Sequence, residues 1–113
     1  MTEYKIEEYP NFDEYEIAMN FARFQDDIEN YKRVIKKLKR KKIDFDMTLF
    51  STIIRHLQSN QEKYFEMMKE MFETNDAAEK EHLISELSFM IYNRFGCQQS
   101  AYEYEKKVTY GEK

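Results

Sequence analysis

His82 sits in the run EKEHLISE, three residues after Glu79. On a helix, Glu-x-x-His places a carboxylate and an imidazole one turn apart on one face, the spacing used by carboxylate-bridged di-iron bundles. That chemistry needs a second such pair and further glutamates from partner helices. The other histidine, His56, has Ile53 at the matching position, so the second half is missing. His82 therefore reads as a surface histidine on an acidic helix, and no metal is expected. Cys97, the single cysteine, could in principle pair with a histidine as a nucleophile, but nothing around it supports that. A small thiol that packs the tail is the better reading. Only Gly96 and Gly111 occur, which leaves no phosphate-cradling glycine loop and implies no cofactor. The expectation is a protein that is not an enzyme.

Two other patterns carry more weight. The run YKRVIKKLKRKKIDF holds eight of the eighteen basic residues between positions 31 and 43, with no acid among them. Residues 1–30 hold nine acids and two bases, and residues 44–113 hold thirteen acids and eight bases. The overall net charge of −4 hides this segregation. Six tyrosines, Tyr4, Tyr9, Tyr15, Tyr102, Tyr104 and Tyr110, lie near the two termini among acids. Tyrosine offers large contact area at low entropic cost and is enriched at protein interfaces. Its other use here would be packing of the termini onto the rest of the chain.

These residues must be positioned by elements, and the elements are helical. Two glycines and one proline in 113 residues disfavour a turn-rich β fold. Ile17, Phe21, Phe24, Ile28, Tyr31, Ile35 and Leu38 are spaced alternately by four and three, an a/d seam. The first helix is predicted at about 12–41, with Asn11 and Glu14 forming a capping box behind Pro10. Phe50, Ile54, Leu57, Gln61, Tyr64, Met68 and Met71 repeat the phase and predict a second helix at about 47–73, capped by Asp46. Ile53, Phe65 and Phe72 widen its stripe. Ser59 and Glu62 also read as a capping box, so a break near Ser59 is the alternative. Asn75 or Asp76 caps a third helix at about 76–95. It carries Leu83, Ile84, Leu87, Met90, Ile91 and Phe95, widened by Phe89 and Tyr92, and Gly96 is its expected stop. The tail, 97–113, reads as a short helix through Cys97, Ala101, Tyr104 and Val108, with an alternating strand pattern as the competing reading. The fold class is all-α: an antiparallel three-helix bundle in one domain, with a short C-terminal helix or tail.

On that frame Lys32, Arg33, Lys36, Lys37, Lys39 and Arg40 form the outer face of the first helix, opposite Tyr31, Ile35 and Leu38. The bundle topology predicts a rod with an acidic pole and a basic pole, Arg94 being assigned to the basic one. Part of the segregation follows from the helix macrodipole, which favours acids at helix starts and bases at helix ends. The methionines of YFEMMKEMF could give a soft patch for partner helices, Met67 standing outside the seam. A helix-turn-helix around Gly96 is a poor fit, because the following segment balances two acids with two bases.

The function expected first is a small interaction module that binds and modulates, and in one form inhibits, a protein partner with a basic surface. Glu7, Glu8, Tyr9, Asp13, Glu14 and Tyr15 are its predicted contact residues. The alternative is a nucleic-acid-binding regulator, with Lys32, Arg33, Lys36, Lys37, Lys39 and Arg40 on phosphates. Helices this long also pair between chains, which leaves a homodimer open. The first fifteen residues lack an apolar stretch, and the longest apolar runs, such as FMIY, fall far short of a membrane span. A cytoplasmic protein is expected; the Lys-, Glu-, Tyr-, Phe-, Ile- and Met-rich usage suits an AT-rich genome, that of a Gram-positive bacterium or its phage, and a phage or mobile-element regulator is the form expected of the module.

Overall fold

A computed structural model describes residues 10–111. Three helices, α1 (Glu14–Arg40), α2 (Met47–Glu73) and α3 (Ala77–Tyr110), pack pairwise into an all-α three-helix bundle. Consecutive helices run antiparallel, so α1 and α3 point the same way. The molecule is a rod of 54 × 26 × 19 Å.

Each boundary has a local cause. Asp13, rather than Asn11, caps α1: its carboxylate accepts the Glu16 N–H at 2.8 Å. Asp46 and Asp76 cap α2 and α3 in the same way. The Thr48 N–H holds the Asp46 carboxyl below its ordinary pKa. At the other end of α1 the chain turns in a Schellman motif, with Ile43 N–H donating to Leu38 C=O and Lys42 N–H to Lys39 C=O. Lys42 takes the left-handed position at φ 58°, where glycine is the usual occupant. The seams do what their spacing predicts: Ile17, Phe24, Ile28, Tyr31, Leu38, Phe50, Leu57, Tyr64, Met71, Leu87 and Ile91 are buried in one core. The helix α2 runs unbroken through Ser59, because Leu57 and Tyr64 are both buried and hold the register across it.

Two expectations change. The helix α3 does not stop at Gly96 but continues to Tyr110, and Gly111, at φ 67°, is the real C-terminal cap. Glycine inside a helix costs about 1 kcal/mol. Packing beyond it offsets that cost: Ala101 is buried, and Cys97, Tyr104 and Val108 lie against the core. The Tyr104 ring meets Phe50 at 5.7 Å, and its hydroxyl accepts the Asp46 N–H at 2.6 Å. No separate tail element forms among the described residues. The second change is that Phe65, Phe72 and Phe89 do not widen the buried stripes, and all three stand about half exposed.

Candidate interaction surfaces

The acidic end is assembled from three elements. Contacts of Tyr64 with Ile17 and of Lys80 with Glu14 bring the start of α1, the end of α2 and the start of α3 together. Asp13, Glu16, Glu66, Glu70, Glu73, Asp76, Glu79 and Glu81 are exposed there. None of these eight is ion-paired among the described residues, whereas the half-buried Glu14 beside them pairs with Lys80 at 3.1 Å. Tyr15 projects from the same turn and is 71% exposed. Residues 10–12 lie against α3: the Phe12 N–H donates to Ser88 Oγ at 2.9 Å, and the Tyr92 hydroxyl donates to the Pro10 carbonyl at 2.8 Å. Of the predicted contact residues, Asp13, Glu14 and Tyr15 fall together, while Glu7, Glu8 and Tyr9 lie outside the described residues.

At the opposite end Lys32, Arg33, Lys36, Lys39 and Arg40 are exposed on the outer face of α1. Lys37 differs, because its ammonium lies 2.6 Å from Glu105. The extra length of α3 delivers that carboxylate together with Glu103, Lys106 and Lys107, so the basic pole is less purely basic than the sequence implies.

Arg94 does not belong to that pole. It is buried at 4% exposure between α1 and α3. Its guanidinium donates to Asp27 Oδ2 at 2.6 Å and to Asn20 Oδ1 at 3.2 Å, while Gln98 donates to the other Asp27 oxygen at 2.9 Å. Tyr31 sits beside this cluster with its hydroxyl buried and without a hydrogen bond among the described residues. Burial, reinforced by the charge of Asp27, raises the Tyr31 pKa, and burial does the same to Tyr64. Burial likewise pushes the Cys97 thiol up, which lowers its thiolate fraction and nucleophilicity at neutral pH. Sequence reasoning missed the cluster, although a signal was present. Asn20 and Asp27 are seven apart, as are Leu87, Arg94 and Ala101, so polar residues occupied heptad positions.

His82 Nε2 lies 3.6 Å from Glu86 Oε1, and Glu79 forms no pair with it. Among the described residues no group of three or more His, Cys, Asp and Glu side chains is placed to hold a metal ion. Met67 and Met68 are half-buried against the core and Met71 is buried, so the methionine run is largely packing. Between α1 and α2 a shallow cleft of about 630 Å³ is lined by Phe21, Phe65, Glu62 and Glu66 together with Ser59, Gln61 and Lys63. No helix among the described residues is long and apolar enough to cross a membrane. Comparison with protein-family models, curated proteins and solved structures finds no match to this chain.

Proposed function

We propose that the protein is a small, non-enzymatic interaction module that binds a basic protein surface through its acidic, tyrosine-bearing end and thereby regulates or inhibits that partner. The observation that carries this reading is the exposed ring of Tyr15 standing among Asp13, Glu14 and Glu16 at an end where two further helix termini add acids. Charge of one sign on one end steers diffusional encounter, and an exposed aromatic supplies contact area once the surfaces meet. A cytoplasmic regulator of the kind a phage or mobile element carries suits the size and composition. The test is affinity capture with nuclease treatment, comparing the native chain with a Glu7→Lys, Glu8→Lys, Glu14→Lys variant. Asp13 is left in place because it caps α1. A nuclease-resistant protein partner lost on charge reversal is the expected result; retention of that partner by the reversed variant refutes the reading.

The exposure of five cations on α1, none ion-paired among the described residues, favours a second reading, nucleic-acid binding. Five phosphate contacts by Lys32, Arg33, Lys36, Lys39 and Arg40 would weaken binding roughly 500-fold between about 50 and 200 mM salt. A flat salt response removes it.

A further inference from the structure

The first half of α1 is apolar twice. Its inward seam, Ile17, Phe24 and Ile28, is buried. On the outward side Tyr15, Ala18, Met19 and Ala22 recur at i, i+3, i+4 and i+7, and all four are exposed. One stripe suffices to fold a bundle helix, and the second is covered by nothing among the described residues. It adjoins Phe21, whose ring lies 5.4 Å from that of Phe65 on α2. Phe65 is 43% exposed, and Phe72, two turns further along the same face, is 51% exposed. The result is an apolar strip on both sides of the outer α1–α2 junction, joined by the Phe21–Phe65 contact. Ala18 and Ala22 form its low shoulder, where a facing helix can approach to the ~8–10 Å typical of helix pairs.

The surroundings of the strip are acidic. Residues 13–29 and 59–73 carry ten acids, Asp13, Glu14, Glu16, Asp26, Asp27, Glu29, Glu62, Glu66, Glu70 and Glu73, against three bases, Arg23, Lys63 and Lys69. Arg94 neutralises Asp27 and Lys80 pairs with Glu14, which still leaves eight acids against three bases. We infer that this strip docks a cationic amphipathic helix from another protein, apolar anchors on the strip and Lys or Arg side chains on the flanking acids. The inference rests on the partner-binding reading above and specifies the element of the partner that binds.

Charge decides between occupants. A second copy offers no helix that is both basic and outwardly apolar, because Leu38 beneath its cationic run is buried in its own core and Ile35 packs against that core. The chain's own first nine residues hold Glu3, Glu7 and Glu8 against Lys5, and residues 10–12 are tied to α3 rather than to the α1–α2 junction.

The probe is a fluorescent Leu/Lys peptide of about 18 residues, five turns, with Leu at i, i+3, i+4 and i+7, titrated with the full chain at about 150 mM salt. A peptide of equal composition and scrambled order is the control. Ala18→Gln with Ala22→Gln fills the shoulder, leaves every charge in place, and keeps helix propensity close to native. The expected result is binding at least about tenfold weaker for the scrambled peptide, and a similar loss for the glutamine pair. Equal affinity for both peptides, or no effect of the glutamine pair, overturns the inference. So does a homodimer, seen by sedimentation, that the glutamine pair dissociates. A captured partner that is lost on charge reversal but indifferent to the glutamine pair sinks the strip and leaves the acidic-surface reading standing. A peptide that binds by the strip, with capture unaffected by charge reversal, supports the strip and removes that reading.

Discussion

Tyr31 and Tyr64 are both buried and both packed in the core, yet their hydroxyls have opposite consequences. Tyr64 donates to the Ile17 carbonyl at 2.6 Å, while the Tyr31 hydroxyl has no partner among the described residues. A buried hydroxyl without a hydrogen bond costs about 1–3 kcal/mol, and a made bond contributes about 1 kcal/mol. Tyr31→Phe is therefore expected to be neutral or stabilising by about 1 kcal/mol in urea melts at neutral pH, and Tyr64→Phe to destabilise by about the same. The pH dependence follows from the raised pKa of both groups. The folded chain holds these protons more tightly than the unfolded chain. Stability is complete below the unfolded tyrosine value of about 10 and falls as pH rises above it. Tyr31→Phe should make that alkaline decline shallower. Lys42 offers a test of a different kind. Its left-handed backbone suits glycine, so Lys42→Gly is expected to add about 1 kcal/mol and raise the melting temperature by about 3–6 °C.

Among the helices, the buried Arg94–Asp27 pair ties α3 to α1 at one point along their length. Arg94→Met would strand a buried carboxylate and is expected to destabilise by about 3–5 kcal/mol, whereas Asp27→Leu with Arg94→Met should recover most of that loss in the same denaturation assay. A double variant as fragile as the single one would show that the loss does not come from the stranded carboxylate. The seams that build these helices were plain in the sequence, because large apolar residues at alternating spacings of four and three have few readings other than a bundle. Arg94 was not, since a lone arginine reads as surface until Asn20 and Asp27 are seen at the facing heptad positions. Gly96 misled for a related reason. Its local preference to end a helix is worth about 1 kcal/mol, less than the packing of Ala101 and Tyr104 beyond it. Of the candidate surface, the acids and Tyr15 were legible, but the outward stripe through Ala18 and Ala22 was masked by the stronger inward one on the same turns.

Across the whole rod, the helix directions and the side-chain charges work against each other. The helices α1 and α3 both begin at the acidic end and α2 ends there, so two helix N-termini face that concentration of carboxylates. Each end is thereby partly compensated by backbone, which lets a chain of 113 residues hold so uneven a distribution without strong internal repulsion. The 34 residues of α3 extend about 51 Å, close to the 54 Å length of the molecule, and reach from one end to the other without a joint. A stiff particle with opposite charge at its tips turns in an applied voltage pulse, Tyr15 toward the anode. Transient electric birefringence should therefore show permanent-moment alignment at low conductivity, and that signal should shrink when Lys36, Lys39 and Arg40 are replaced by glutamine.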